Sequence, residues 1–414
     1  TPVVLSSLDI AGIRIANVRL DWRDEQAGND FSLDNLEFSS GPLRVADGRA
    51  DIESLRLHAR FADRGHRIAA MLTLSGAASV DLAKQSASVR LDGGLDASTI
   101  KAKVDIGKFA PLALAFDLDI DTLDLDRYLS QEKKESGDER IDLSVLKGLN
   151  LRGTVHVGRL TIAKIEASDI RVRIDAKDGR LNVSPLSANF YDGRLDGSLA
   201  VDANGNRFAA KQKLAGVRVG PLLKDLADQD LLAGRGDVAL DVTTHGDTVT
   251  ALRKALAGTA HVALADGAIK GIDIGTKLRE AKSLIKGGKD VAVADDATQK
   301  TDFSELSASF RIANGVARND DLMAKSPLLR LAGAGDIDIG NGRLDYLLKT
   351  SVVATSTGQG GKELDAVKGL TVPVRLTGPF AKPDWKIELA GLAGEAAKAK
   401  VEEKLKGKLK GLFR

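Results

Sequence analysis

Residues 112–121 read Leu-Ala-Leu-Ala-Phe-Asp-Leu-Asp-Ile-Asp, and this stretch decides the fold class. Leu112, Leu114, Phe116, Leu118 and Ile120 take every second position, while Asp117, Asp119 and Asp121 lie between or just after them. Successive side chains of a strand point to opposite faces, so one face of this segment is aliphatic and the other wet. A helix would spread the same acids around its circumference. The alternation recurs in Leu55/Leu57/Ala59/Phe61, in Ala102/Val104/Ile106, in Ile170/Val172/Ile174 and in Val238/Leu240/Val242. It continues through Ile337/Ile339, Leu344/Tyr346/Leu348 and Val372/Val374/Leu376. Strands of a parallel α/β sheet are buried on both faces and read as unbroken apolar runs, so these are expected to be antiparallel with one solvated face.

Turn chemistry agrees. Asp-Gly or Asn-Gly pairs begin at residues 47, 92, 178, 192, 196, 204, 266, 314 and 341 and supply the positive φ of tight hairpins. The pairs at 192 and 196 are too close for two successive hairpins, so one of them is expected within a bulge or an irregular strand end. Short helices are expected over 222–232, 248–257 and 276–286, each bounded by Gly, Pro or an Asp cap. Residues 131–140 carry seven charges and no apolar side chain and read as a linker or long loop.

The 414 residues suffice for two or three domains or one long body. A net charge of +2 gives no electrostatic case for a nucleic-acid partner, and aromatics at 4% are too sparse for stacking platforms. With no cysteine there are no disulfides, thiolate metal sites or cysteine nucleophiles. The sequence has no run of eighteen apolar residues that would cross a bilayer as a helix. It opens at Thr1 without Met and is strand-like by Val3, so an upstream segment is expected.

Charge concentrates at the other end. Residues 398–414 hold seven Lys/Arg and two Glu, leaving the rest of the chain slightly acidic. Val401, Leu405, Leu409 and Leu412 form a narrow stripe flanked by Lys400, Lys404, Lys406 and Lys410. This pattern fits a basic amphipathic helix on a membrane surface or a partner, or a soluble tail frayed by Gly407 and Gly411.

Catalytic constellations are missing from the sequence. Five histidines (58, 66, 156, 245, 261) are scattered singly, without the i, i+4 spacing of helical metal ligands. Gly234-Arg-Gly236 precedes a strand rather than opening a helix, and Gly360-Gly-Lys362 lacks the earlier glycine of a phosphate loop. No Gly-x-Ser-x-Gly elbow occurs. The pairs Asp295-Asp296 and Asp320-Asp321 have no convergent second ligand set in sequence, and Arg235-Gly-Asp237 reads as a chance tripeptide. The chain is therefore expected not to be an enzyme and to need no cofactor or metal.

An aliphatic sheet face must be covered. The expected helices are too few to do it, which leaves a sandwich, a closed barrel, or a curved sheet around an apolar ligand. Periodicity alone favours a packed core, the usual destination of alternating aliphatics; aliphatic walls would equally suit acyl chains.

Three sequence blocks bear on that choice. Residues 376–389 read Leu-Thr-Gly-Pro-Phe-Ala-Lys-Pro-Asp-Trp-Lys-Ile-Glu-Leu, and residues 310–318 read Phe-Arg-Ile-Ala-Asn-Gly-Val-Ala-Arg, followed by Ser-Pro-Leu-Leu-Arg-Leu-Ala-Gly-Ala-Gly-Asp-Ile-Asp-Ile over 326–339. The third block, 149–202, contains Phe-Tyr-Asp-Gly-Arg-Leu-Asp-Gly-Ser-Leu at 190–199. In this order they resemble the C-terminal domain of the AsmA family of bacterial envelope proteins, whereas residues 1–130 share only its general strand style.

The resemblance implies an elongated, curved antiparallel β-sheet forming a hydrophobic groove, with a few short helices and a C-terminal amphipathic helix. It further implies a periplasmic protein, held in the inner membrane by an upstream segment, that conducts phospholipid between inner and outer membranes and supports outer-membrane biogenesis. The expected organisation is a groove segment over 1–130, the linker at 131–140, an AsmA-like β domain over 141–390 and the basic tail over 391–414. Candidate groove-lining residues are Leu112, Leu114, Phe116, Leu118, Ile120, Ile170, Val172, Ile174, Val238, Leu240, Val242, Ile337, Ile339, Val372, Val374 and Leu376. Candidate membrane or partner contacts are Lys400, Val401, Lys404, Leu405, Lys406, Leu409, Lys410 and Leu412. The alternative is a non-enzymatic structural or assembly factor for outer-membrane proteins with a sealed β core.

Overall fold

The computed structural model describes residues 7–24, 29–63, 68–128, 140–228, 230–271, 273–274, 291–293, 299–327, 329–352, 371–380 and 382–388. The fold is mainly β, and the described strand pairings are antiparallel except that of β9 with β10. The chain divides into two compact units: Thr1–Phe190, Arg194–Ala210 and Asp247–Val249 form the first, and Tyr191–Gly193, Lys211–Gly246 and Thr250–Arg414 the second.

The first unit opens with β1 (Ser7–Ile10), β2 (Arg14–Asp24), β3 (Asn29–Ser40), β4 (Leu43–Ala46) and the long β5 (Arg49–Asp63). One half of β5 pairs with β4 and the other with β3, which brings β1 and β2 in behind them. A meander follows through β6 (Ile68–Asp81), β7 (Ser86–Leu95), β8 (Ser98–Phe109) and β9 (Leu112–Asp124). Next come α1 (Ser144–Lys147), β10 (Asn150–Ile162), β11 (Ile165–Lys177) and β12 (Arg180–Phe190).

The exception to antiparallel pairing is β9 with β10, which run parallel in a register from Leu114↔Leu151 to Asp124↔Thr161. A hairpin cannot return a chain in the same direction; the connection over residues 125–149 is long enough to do so.

β13 (Gly193–Asp202) and β14 (Arg207–Arg218) straddle the division between the units. In the second unit α2 (Val219–Ala227) packs on β15 (Leu232–His245), and α3 (Val249–Lys254) leads to β16 (Ala257–Lys270). The ladder runs β15, β16, β18 (Lys300–Ala313), β19 (Val316–Lys325), β20 (Leu329–Asp338), β21 (Arg343–Val352), β22 (Thr371–Pro379) and β23 (Asp384–Ile387), with the short β17 (Val291–Val293) on β23.

Six of the nine expected turns sit at or beside hairpin bends. At Asp47-Gly48, Asp178-Gly179 and Asn314-Gly315 both residues have positive φ. The pairs at 92 and 196 instead lie inside β7 and β13, and Asp266 (φ 47°) makes an irregularity within β16. Gly93 is in mid-strand because a Cβ there would stand 2.0 Å from the Thr73 carbonyl oxygen. Its backbone approach, rather than a turn, requires glycine. The helices at 222–232 and 248–257 are displaced or shortened to α2 and α3, and the expected helix at 276–286 lies outside the described residues. Ile339 falls just past β20, in the turn that its N–H closes on the Gly315 carbonyl at 2.8 Å.

Candidate functional site

The register of the first unit turns its separate alternations into continuous rows. Leu55, Gly76, Leu91, Ala102, Leu118, Val155, Val172 and Leu186 stand opposite one another from β5 to β12. Two residues along most strands, and three across the irregular steps in β5 and β12, a second row runs Ile52, Ala78, Val89, Val104, Phe116, Gly153, Ile174 and Val183. A third runs Ala50, Val80, Ala87, Ile106, Leu114, Leu151, Ala176 and Leu181, and a fourth runs from Leu57 through Ile100, Ile120 and Val157 to Ile170. Directly paired residues share a face. With strands about 4.8 Å apart and rows about 7 Å apart, the apolar field spans roughly 34 by 20 Å.

The burial of this field decides what it can do. Every residue of the first two rows is only half-buried. Ile120, Val157 and Ile170 are buried, and with Ala188 they form a small cluster on which Leu118, Val155 and Val172 lean. Among the described residues of this unit, substantial packing is confined to strands adjacent in the ladder, joined by a 3-10 turn at Leu125–Arg127 against β10 and by α1 against β11 and β12. Among the described residues of this unit, no second layer covers the aliphatic rows. Phe116 is held across Gly153, where a Cβ would meet its ring at 2.6 Å.

The opposite face is set by polar pairs. Thr154 Oγ1 donates to Asp117 at 2.6 Å, while His156 places Nδ1 2.8 Å from Asp119 and Nε2 3.2 Å from Asp169. The Ser88 hydroxyl, with Lys103 beside it, holds Asp105 below the usual carboxylate range; Arg171 does the same for Asp169. A one-residue slip in register would bring these charges onto the apolar side, so the polar ladder fixes which face stays aliphatic.

The second unit treats its apolar face differently. Leu264, Leu306, Ala324, Leu331, Thr350 and Val372 make an equivalent row, but all are buried, and all except Thr350 belong to one cluster with Val374, Trp385, Ile387 and Ile274. Val238, Ile337 and Leu376 pack against it. Val242 is buried and Leu240 half-buried.

The sixteen groove candidates therefore divide. Leu112, Leu114, Phe116, Leu118, Ile120, Ile170, Val172 and Ile174 share the open field of the first unit, with Leu112 at its margin. Val372 and Val374 are enclosed in the second. The eight tail candidates, from Lys400 to Leu412, lie outside the described residues. Sequence reading left out Leu91, Leu151, Val155, Leu181 and Leu186, because alternation marks a face but not which strands adjoin, and Gly76, Gly93 and Gly153 interrupt the apolar pattern.

Chemistry-bearing residues elsewhere have structural partners. Asp320 pairs with Arg318 at 2.9 Å, Asp321 accepts the Ser309 N–H at 2.8 Å, and Arg235 Nε donates to the Gly216 carbonyl at 3.0 Å. Among the described residues no group of three His, Asp or Glu side chains is gathered as a metal would need, and no helix is long and apolar enough to cross a membrane.

The described residues make a mainly β protein whose first unit carries a broad, half-buried aliphatic sheet face. Comparison with known proteins points to a family: residues 121–322 match the AsmA family. It is similar to Protein AsmA of Escherichia coli (strain K12), at 24% identity over 224 residues. That alignment covers 54% of this chain and 36% of the relative, so the chain spans about a third of that protein's length. No solved structure matches.

Proposed function

We propose that this chain is a non-enzymatic, bridge-like lipid-transfer protein of the bacterial envelope. In this reading the aliphatic rows of the first unit hold phospholipid acyl chains, and the protein conducts them through the periplasm between inner and outer membranes in support of outer-membrane biogenesis. The observation that carries the reading is the field of half-buried rows, over which no layer packs among the described residues of the first unit. Hydrocarbon chains need burial and no directed hydrogen bonds, which is what Leu118, Val155 and Val172 offer. The polar groups lie on the other face, so head groups would remain at the margins of the field. The match of residues 121–322 to the AsmA family supports the envelope setting.

The test is phospholipid transfer between donor and acceptor vesicles by the chain and by Val172→Asp. A carboxylate in the middle of the rows puts an unpaired charge against hydrocarbon. Transfer is expected to fall at least about tenfold in a folded variant; unchanged transfer would remove Val172 from the path and sink the reading. A second reading, a structural or assembly factor with a sealed β core, is favoured by one observation, the fully enclosed face of the second unit.

A further inference from the structure

The margin of the aliphatic field has its own chemistry. The hairpin joining β8 to β9 reads Phe109-Ala-Pro-Leu112, four apolar residues where water-exposed hairpins place Asp, Asn and Gly. Its neighbours at the same strand ends, Asp47-Gly48 and Asp178-Gly179, follow the polar rule. Phe109 pairs with Leu112 one step beyond Ile106↔Leu114, and Lys108↔Ala113 occupies the other face, so the apolar rows run out to the tip without a polar break. Phe109 is 40% exposed and Leu112 50% exposed.

Two further groups stand at these strand ends. Leu82, 57% exposed, tops the β6–β7 hairpin and its N–H donates to the Gly48 carbonyl at 2.8 Å; Val145, 70% exposed, sits on α1 just before β10. Each apolar tip has a lysine beside it: Lys108, Lys84 and Lys147. Lys108 has no ion-pair partner among the described residues, and Lys84 shares Asp81 with Arg49. The hairpin tips lie about two strand spacings, or roughly 10 Å, apart.

We infer that this edge of the first unit docks on a phospholipid bilayer, with Phe109, Leu112, Leu82 and Val145 entering the acyl boundary and the lysines meeting anionic head groups. Exposed apolar groups flanked by basic residues are what interfacial binding requires. Continuity between the Phe109-Leu112 tip and the interior rows commits the surface to lipid, because a chain leaving the bilayer would pass from tip to row without crossing water. The inference rests on the proposed lipid reading and names where lipid enters.

The experiment is co-sedimentation of the full chain with vesicles of phosphatidylethanolamine and phosphatidylglycerol, alongside lipid loading from detergent micelles. The wild-type chain is expected to bind vesicles. Leu82→Ser with Phe109→Ser, neither of which belongs to the rows, should lower partitioning by about tenfold or more while loading from micelles as the wild type does. Lys108→Glu, which leaves the hairpin's apolar pair intact, should weaken binding to anionic vesicles more than to neutral ones and is decisive if the double variant does not fold. Equal vesicle binding by wild type and variants would overturn the inference. So would a wild-type chain that ignores vesicles, or one that forms a dimer lost in the double variant, which would assign the tips to a second copy. Failure of the wild type to load from micelles would instead strike the lipid reading itself.

Discussion

Tyr346 donates its phenolic hydrogen to Asn319 Oδ1 inside the second unit, and Asn319 uses all its remaining capacity. Its Nδ2 donates to the Ser309 carbonyl at 2.8 Å and to Asp321 at 2.7 Å, while Oδ1 also accepts the Leu322 N–H at 3.2 Å. A buried amide so satisfied stabilises the irregular step in β19, and losing one partner costs about 1–2 kcal/mol. Tyr346→Phe is therefore expected to lower stability by about that amount in urea titrations. Burial pushes the Tyr346 phenol up, and the charges of Asp321 and Asp320 add to it; burial with an Asp96 hydrogen bond pushes Tyr128 up to about 12. A folded value above the unfolded one means that stability is full below pH about 10 and is lost as pH rises beyond it, because the unfolded phenol ionises first. Thermal denaturation should show a steeper alkaline loss in wild type than in Tyr346→Phe. An identical slope would mean that Tyr346 is not held neutral.

At the scale of elements, the turn between β10 and β11 and the parallel seam beside it share one support. Ala163 (φ 51°) and Lys164 (φ 66°) both adopt left-handed backbone, and Asp126 accepts their N–H groups at 2.5 and 2.8 Å. Left-handed backbone costs a non-glycine residue roughly 1–2 kcal/mol. Lys164→Gly should raise the melting temperature, whereas Asp126→Ala should lower stability by about 1–2 kcal/mol; the two shifts in opposite directions check that Asp126 clamps a strained turn. Sequence could not show this turn, since Ala-Lys carries no turn signature and its clamp lies 37 residues upstream. The strands themselves were legible wherever aliphatics alternate with charge. The parallel pairing of β9 with β10 was not, because an alternating strand reads alike in either direction. The glycine pairs at 92 and 266 misled for a related reason, as close backbone approach and bulges select the same residue that turns do.

The whole molecule uses one sequence pattern for two ends. In the first unit the rows stay half-exposed, and in the second they close into a core, although Val172 and Val374 sit in the same kind of alternating strand. What separates them is that the rows of the second unit join Trp385, Ile274 and Ile387 in one buried cluster, whose members come from distant parts of the chain. No local periodicity reports those contacts. The account predicts opposite outcomes for one substitution: Val374→Asp, at 0% exposure, should cost at least ~3 kcal/mol and prevent folding, while Val172→Asp should fold within ~1 kcal/mol of wild type. Circular dichroism with denaturant titration separates the cases.

The most direct test of the central claim is native mass spectrometry of the purified chain, with extraction of bound lipid. The account predicts several phospholipids per chain, depleted in folded Val172→Asp. A chain that is reproducibly lipid-free and takes up no added phospholipid would contradict it and leave the sealed structural factor as the reading.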